Sequence, residues 1–211
     1  MNVREELQIM ADSSKDRISS EAREVMSSFQ KELESKKLLS TLRKAGDKFP
    51  NFSLPNHRGE LIKSEDLLQK GSLIVTFYRG GWCPYCNIEL RGYQAILPQI
   101  QEKKAQLVAI SPELADNSLE LVQKHGLDFL VLSDLDNKFA QELGLVFTLS
   151  KELATVYKEF GIDFKKSQGN YSSRLPIPAT YVIGQDHTIK FAHYDINYAL
   201  RCEPNDTLKF L

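Results

Sequence analysis

The hydrophobic positions of the first 45 residues repeat at helical spacing. Apolar side chains recur every three or four residues from Val3 to Leu33, with Ser14 bridging one gap, and such spacing lines up one stripe of an α-helix. The same segment contains neither glycine nor proline, whereas the rest of the chain holds all 11 glycines and all 8 prolines. The pattern predicts an amphipathic helical extension over residues 1–45. It either packs on its own domain or serves as a partner or dimerisation helix of a homodimer.

Short β-like runs alternate with helical patterns from Gly46 onward. Such alternation is typical of βαβ units, so we expect an α/β domain over residues 46–211, with a mixed or parallel central sheet flanked by helices. The run Leu73–Tyr78 is apolar or β-favouring throughout, as in a strand buried on both faces. The other predicted strands are Phe52–Leu54, Leu61–Lys63, Gln106–Ile110, Phe129–Leu132, Thr180–Ile183 and Thr188–His193. The other predicted helices include Leu119–His125, Phe139–Leu143, Lys151–Phe160 and Pro204–Leu211.

Composition and charge exclude several classes of protein to which the chain could belong. The 211 residues are 42% hydrophobic and 26% charged, close to the averages for folded globular chains. With 27 basic and 28 acidic residues there is no basic field to attract nucleic acid, so we expect no such partner. The longest apolar runs, such as Leu73–Phe77, are far shorter than the ~18 to 20 residues of a membrane span. The charged start MNVREEL lacks the apolar region of a secretory signal, so we expect a cytoplasmic protein without membrane attachment.

The chain has three cysteines, and two of them, Cys83 and Cys86, are three positions apart. Three cysteines are too few for a secreted disulfide framework, and in a reducing compartment a close pair is more often catalytic or metal-binding. The pair lies between the buried strand and the next helical pattern, and Pro84 suits the first turn of that helix. A helix start stabilises a thiolate, which is the form that attacks disulfides and peroxides.

Several readings of the pair follow from the residues alone. The helical spacing favours Cys83 as the more exposed sulfur, and a disulfide across so short a loop should be readily reduced. Arg79, four residues earlier, is either a cation that stabilises a sulfur anion or a solvated loop residue. The alternatives for the cysteines are a structural zinc site, for which a second close ligand pair is missing, and two inert buried thiols. We expect no metal and no other cofactor.

The segment Phe77–Leu90, FYRGGWCPYCNIEL, resembles the active-site segment of peroxiredoxins of the alkyl hydroperoxide reductase and thiol-specific antioxidant family. Gly46–Pro55 and Pro178–Ile183 resemble the opening and the late hairpin of the same family, so the similarity covers roughly residues 46–211. The resemblance implies a thioredoxin-like fold. It also places Cys86 at the position of the peroxidatic cysteine, which attacks a hydroperoxide and becomes a sulfenic acid.

The sequence also departs from the family pattern. The family has proline and threonine seven and three residues before the peroxidatic cysteine, where this chain has Arg79 and Cys83. Pro178 stands where the family has its second arginine, and it matches the cis-proline of the thioredoxin fold, so we expect a cis bond there. The CPYC motif resembles a glutaredoxin site, and Trp82 before it resembles thioredoxin. The chain is therefore most similar to a peroxiredoxin-like subgroup that carries a CxxC motif.

Two enzymatic mechanisms follow from this resemblance. In the first, Cys86 reduces hydrogen peroxide or an organic hydroperoxide, Cys83 resolves the sulfenic acid, and a thioredoxin- or glutaredoxin-type partner reduces the disulfide. Arg79 or Arg174 would replace the missing arginine. In the second, the protein is a disulfide oxidoreductase in which Cys83 attacks a partner's disulfide, and Trp82 and Pro178 line the docking groove.

Two further readings concern residues outside this chemistry. A redox-responsive interaction protein, in which oxidation of the pair alters docking of the amino-terminal helix, is an alternative of another class. Cys202 is either a second resolving thiol or a plain buried or surface cysteine.

Overall fold

A five-stranded mixed sheet forms the centre of the molecule, whose computed structural model describes residues 2–211. The strands are β1 (Ser53–Pro55), β2 (Leu61–Lys63), β3 (Leu73–Phe77), β4 (Gln106–Ser111), β5 (Leu130–Ser133), β6 (Val146–Thr148), β7 (Arg174–Pro176), β8 (Ala179–Ile183) and β9 (Ile189–Tyr194). The helices are α1 (Val3–Lys15), α2 (Ser20–Ser35), α3 (Ser64–Leu68), α4 (Pro84–Glu102), α5 (Ala115–His125), α6 (Lys138–Glu142), α7 (Lys151–Glu159), α8 (Phe164–Gln168) and α9 (Pro204–Thr207).

The central sheet has the order β5-β4-β3-β8-β9. Strand β3 runs parallel to β4 and antiparallel to β8, and β4 runs parallel to β5. Every side chain of β3 is buried, because Leu73, Val75 and Phe77 pack into the hydrophobic cluster on one face of the sheet while Ile74 packs into the cluster that contains α4. The predicted α/β class and the doubly buried central strand are confirmed.

The amino-terminal segment forms two helices rather than the single stripe that the sequence predicts. Helix α1 ends at Lys15, and Ser19 caps the start of α2 by accepting a hydrogen bond from the Ala22 amide. Val3 and Leu7 of α1 are buried in the cluster that contains α4. The sequence did not predict this break, because the turn between the helices contains neither glycine nor proline. The apolar residues on its two sides also keep nearly the same helical spacing.

Helix α2 packs on a different part of the molecule. Phe29 and Leu33 are buried in a third hydrophobic cluster, together with Leu153 and Tyr157 of α7. Because α1 lies against α4 and α2 lies against α7, the turn between them, residues 16–19, bridges two parts of the fold. We refer to this turn as the amino-terminal elbow.

The structure adds elements that the hydrophobic pattern did not reveal. Strands β6 and β7 pair as a separate antiparallel sheet, and α8 is a short helix after α7. Each of these elements has only three to five residues, which is too short to display a period. None of the helices within residues 2–211 is both long and apolar enough to cross a membrane.

Candidate active site

The two cysteines lie at the start of α4, directly after the loop that leaves β3. Cys83 is the residue that precedes the helix, Pro84 occupies its first turn, and Cys86 lies one turn further in. Proline fits there because the first-turn amide has no partner inside the helix in any case. The arrangement places Cys83 where unpaired amides and the positive end of the helix dipole favour a thiolate.

Both sulfurs are enclosed by the protein. Cys83 and Cys86 are each 0% exposed, so the prediction that Cys83 is the more exposed sulfur is wrong. The reason lies outside the CxxC segment, because aromatic residues distant in sequence cover its outer side. The half-buried Trp82 packs edge-on against Tyr157, and Tyr85 packs edge-on against Tyr198.

Arg79 binds the first sulfur. One of its terminal nitrogens donates to Cys83 Sγ at 3.1 Å, and the other donates to the Tyr157 hydroxyl at 2.8 Å. Its guanidinium lies 4.0 Å from the centre of the Tyr198 ring and 5.3 Å from that of Trp82. Arg79 is 4% exposed, so its alternative role as a solvated loop residue is excluded.

Arg201, which no pattern along the sequence indicates, binds the second sulfur. Its terminal nitrogens donate to Cys86 Sγ at 3.3 Å and to Glu89 Oε2 at 2.8 Å. The predicted alternative, Arg174, instead donates to the side chain of Gln141 on the molecular surface. The sequence could have indicated Glu89, because this residue lies one helical turn after Cys86 and hence on the same face of the helix. The sequence could not have indicated Arg201, since 115 positions separate it from Cys86.

The charges around the pair favour a thiolate on Cys83. Burial opposes that charge, but the Cys86 hydrogen bond and the arginines outweigh it and hold the pKa of Cys83 well below its usual value. Burial, together with the neighbouring Cys83 charge, raises the pKa of Cys86 well above its usual value. The cluster contains two positive guanidiniums, those of Arg79 and Arg201, and one carboxylate, that of Glu89. One further negative charge, a single thiolate, therefore makes the cluster neutral. The two thiols therefore share one proton, which resides on Cys86.

A second buried carboxyl, that of Glu113, holds the loop before Cys83 through hydrogen bonds. Glu113 accepts hydrogen bonds from the Gly81 amide at 2.8 Å and from the Ser167 hydroxyl at 2.9 Å. A β-carbon on Gly80 would lie 2.9 Å from Glu113 Oε1 and 2.4 Å from the Trp82 indole nitrogen. The loop consequently needs glycine at this position to pass so close to both side chains. Burial raises the pKa of Glu113 to about 7.

Pro178 and Cys202 complete the set of predicted residues. Pro178 precedes β8 and lines a small cavity together with Arg79, so the structure brings it to the site. The prediction of a cis bond before Pro178 is wrong, because no peptide bond in residues 2–211 is cis. Pro178 lies directly before Ala179, the first residue of β8, which pairs with Phe77 of β3. An extended trans backbone at Pro178 therefore leads straight into the strand. Cys202 is buried and donates to the Glu203 carbonyl, and burial raises the pKa of this thiol.

The described residues contain no group of three or more His, Cys, Asp or Glu side chains that could hold a metal ion. The chemistry of the cluster is that of two sulfurs between two cations. It can stabilise a sulfur anion, bind the oxygens of an incoming peroxide through guanidinium donors, and close a bond between neighbouring cysteines.

A protein family and several individual proteins are similar to parts of this chain. The model of the AhpC/TSA family matches residues 45–192. A protein described as a putative peroxiredoxin bcp from Buchnera aphidicola is 33% identical over 105 residues, which are 50% of this chain and 66% of the relative. Peroxiredoxin Bcp from Escherichia coli is 28% identical over 102 residues, 48% of this chain and 65% of the relative. The matches thus span just under two thirds of the length of these relatives.

Solved structures show the same fold. Peroxidoxin BcpB from Mycobacterium tuberculosis superposes with a TM-score of 0.61 at 19% identity, covering 79% of this chain and 95% of the other. A PrxQ mutant from Xylella fastidiosa superposes with a TM-score of 0.61 at 16% identity, covering 78% and 92%. The predicted thioredoxin-like fold is confirmed.

Proposed function

Because this chain belongs to the AhpC/TSA family of peroxiredoxins, we propose that it is a thiol-dependent peroxidase that works through Cys83 and Cys86. The observation that supports this most directly is the enclosure of both sulfurs between Arg79 and Arg201, each of which donates to one of them. Guanidinium groups stabilise the thiolate and also bind the oxygen that becomes negative as the peroxide bond breaks.

The proposed reaction has two covalent steps. A thiolate at Cys86 attacks the terminal oxygen of the hydroperoxide, the O–O bond breaks, and the remaining alkoxide takes a proton and leaves as alcohol or water. Cys83, now a thiolate, then attacks the Cys86 sulfenic acid, which forms the Cys83–Cys86 disulfide and releases hydroxide that takes a proton from solvent and leaves as water. The resting proton on Cys86 moves to Cys83 before the first step and is available for the departing alkoxide.

The charge balance of the site supports rapid recycling. When the pair becomes a disulfide, the thiolate charge disappears and the cluster keeps two buried guanidiniums against the single carboxylate of Glu89. Unbalanced buried charge is costly, so the reduced state is favoured and the disulfide is a good oxidant. We propose that a dithiol of the thioredoxin or glutaredoxin type reduces it and that the protein acts in the cytoplasm. The low cysteine content supports that location.

A second candidate function is disulfide exchange with Cys83 as the nucleophile. The specific observation in its favour is the resting thiolate on Cys83, at the start of the helix and 3.1 Å from Arg79. In this reaction Cys83 attacks a partner's disulfide, and Cys86 then displaces the partner from the mixed disulfide.

One trapping experiment separates these functions. Reduced wild-type protein and the variants Cys83→Ser, Cys86→Ser and Cys202→Ser receive one equivalent of hydrogen peroxide, and a sulfenate-specific reagent with mass spectrometry locates the oxidised sulfur. We expect a Cys83–Cys86 disulfide in wild type and in the Cys202→Ser control, a persistent sulfenate on Cys86 in Cys83→Ser, and none in Cys86→Ser. Absence of peroxide consumption, with reduction of insulin disulfides, would favour the second function. A sulfenate on Cys83 would reverse the order of attack.

A further inference from the structure

The guanidinium of Arg79 lies among three aromatic rings. Its Cζ atom is 4.0 Å from the ring centre of Tyr198, 5.3 Å from that of Trp82 and 6.0 Å from that of Tyr157. We call these three rings the aromatic cage. Arg79 is 4% exposed, so the ring faces take the place of water around its charge. In the part of the chain that the structure describes, no aspartate or glutamate forms an ion pair with Arg79.

Arg201 is held in a different way. It forms an ion pair with Glu89 at 2.8 Å, and the two side chains are 1% and 3% exposed. The carboxylate compensates the charge of Arg201, whereas an aromatic ring attracts a cation through its quadrupole and carries no net charge. Cys86 consequently faces a compensated cation, and Cys83 faces an uncompensated one. This difference favours the negative charge on Cys83.

One residue of the cage contacts both cations. The ring of Tyr198 faces Arg79, and its backbone carbonyl accepts a hydrogen bond from Arg201 Nε at 2.7 Å. The same ring packs edge-on against Tyr85, which lies between the two cysteines. Tyr157 adds a directed contact, because its hydroxyl accepts a hydrogen bond from Arg79 at 2.8 Å. The cage therefore fixes the position of the guanidinium as well as its surroundings.

We propose that Tyr198 and Tyr157 are positioning residues, which hold the uncompensated charge of Arg79 against Cys83 and thereby place the thiolate of the site on Cys83 rather than on Cys86. The inference deepens the proposed function and rests on it for its consequence, since the thiolate is the form of a cysteine that attacks a peroxide or a disulfide. The two tyrosines act through Arg79, and the ionisation of the two thiols is what they control.

Other ionisable groups also surround the sulfurs. Those around Cys83 are Cys86, Arg79, Arg201, Tyr157 and Tyr198, and those around Cys86 include Glu89, Glu113 and Tyr78 as well. Burial raises the pKa of Tyr198 above its usual value, so this side chain stays neutral while Cys83 titrates. Every group other than Tyr198 is retained when Tyr198 is replaced, so a comparison of variants isolates the contribution of this one ring.

The ionisation of each thiol can be followed separately. The ¹³Cβ chemical shift of a labelled cysteine changes when the thiol loses its proton, and the measurement needs neither a peroxide nor a partner disulfide. We expect Tyr198→Leu to make Cys83 about tenfold less acidic, because the guanidinium loses its nearest ring. Tyr198→Phe keeps a ring face over Arg79 and should titrate as wild type does. A tyrosine that only filled space would leave the titration of Cys83 unchanged.

Tyr157→Phe is the second variant, so that misfolding of Tyr198→Leu does not leave the question open. It keeps the buried ring and removes the hydroxyl that accepts from Arg79, so Cys83 should again become less acidic. The matched control is Tyr171→Leu, because Tyr171 also lies beside a cation, Lys165 at 5.3 Å, but is 73% exposed and outside the cage. It should leave the titration of both cysteines unchanged. An unchanged Cys83 titration in either folded cage variant would overturn the role of that tyrosine.

The carboxylate beside Arg201 provides the converse test. Glu89→Gln removes the compensating charge but can still accept a hydrogen bond. We expect Cys86 to lose its proton at lower pH than in wild type, measured above the Glu89 pKa of about 7, where the wild-type carboxyl is ionised. An unchanged Cys86 titration would overturn the contrast between a compensated and an uncompensated cation.

These titrations distinguish the inference from the proposed function. If Cys83 responds to the tyrosine variants as expected but the protein consumes no peroxide, the positioning role stands and the peroxidase function fails. If the protein consumes peroxide while neither tyrosine variant alters the titration of Cys83, the function stands and the positioning role is wrong.

Discussion

Arg201 links a buried ion pair to one sulfur of the cysteine pair. Its side chain is 1% exposed and forms an ion pair at 2.8 Å with Glu89, which is 3% exposed. Burial raises the pKa of Glu89 to about 7, and the Arg201 charge limits that rise. The same guanidinium donates to Cys86, so the ion pair with Glu89 also fixes the position of the cation beside this sulfur.

The substitution Arg201→Gln should therefore destabilise the protein strongly. Removing one partner of a buried ion pair leaves the other charge unpaired, which typically costs about 3 to 5 kcal/mol. The free energy of unfolding, measured by urea denaturation at pH 8 so that Glu89 is ionised, should fall by roughly 3 kcal/mol. Arg91→Gln is the matched control, because the pair of Arg91 with Glu6 is 39% and 36% exposed. Exposed pairs contribute at most about 1 kcal/mol. Equal losses in the two variants would contradict the assignment.

The sequence located part of this site and missed the rest for a physical reason. Local rules identify Cys83, Cys86 and Arg79, since a helix start and a cation four residues earlier lie in one short segment. The partners Arg201, Tyr157 and Tyr198 are brought in by tertiary packing alone. Their roles depend on distances across the fold, and no spacing along the chain encodes those distances.

At the scale of secondary-structure elements, the packing of α1 on α4 depends on one glycine. A β-carbon on Gly92 of α4 would lie 2.2 Å from Val3 Cγ2 and 3.0 Å from Pro204 Cγ. The bare backbone at Gly92 thus lets α1 approach closely enough to bury Val3 and Leu7. This contact holds α1 against the helix that begins directly after Cys83.

Gly92→Ala should release α1 while α4 remains intact. Alanine favours a helix over glycine by up to about 1 kcal/mol, but displacing Val3 forfeits the burial of a side chain worth about 1.5 to 3 kcal/mol. Hydrogen exchange followed by mass spectrometry should show the amides of residues 3–15 exchanging faster, with those of α4 unchanged. Adding Val3→Ala removes Cγ2, leaves the nearest Val3 atom at 3.6 Å, and should restore slower exchange. Unchanged exchange in Gly92→Ala would show that α1 does not depend on this close approach.

The helices and strands were likewise predictable where the pattern along the chain decides them, and not where contacts between distant residues do. Periodicity predicted the central strand and the helix Leu119–His125. The structure begins this helix earlier, at Ala115, and ends it at Gly126 in a left-handed conformation. It did not predict that the amino-terminal stripe divides at residues 16–19, because both halves keep an apolar face and each packs on a different partner. The hydrophobic pattern records that a face is buried, and tertiary packing determines what buries it.

At the scale of the whole molecule, the environment of the cysteines is an enclosed charge cluster rather than an exposed redox motif. Trp82 in the loop before Cys83 packs against the same hydrophobic cluster as Ile18 and Met26 of the amino-terminal segment, and Glu113 joins the loop to α8 through Ser167. Elements from both ends of the chain and from its middle therefore fix one short loop. A change in the ionisation of Glu113 should consequently affect the stability of the entire fold.

The stability of the molecule should depend on pH through Glu113. Burial raises the pKa of this carboxyl from an ordinary 4.5 to about 7 in the folded protein. Between these values the folded state retains a proton that the unfolded state has lost. The resulting stabilisation is complete below pH 4.5 and is lost as the pH rises through 7. A shift of this size corresponds to roughly 3 kcal/mol.

Comparison with Glu113→Gln isolates this contribution, because glutamine can still accept the Gly81 amide hydrogen but does not titrate. The histidines and Glu89 titrate in both proteins and cancel in the difference. We expect urea denaturation to show that, relative to the variant, wild type loses roughly 3 kcal/mol of unfolding free energy between pH 4.5 and pH 8. If the two proteins lose stability in parallel over that range, Glu113 is ionised throughout. The loop would then be held by a charged acceptor instead of a neutral one.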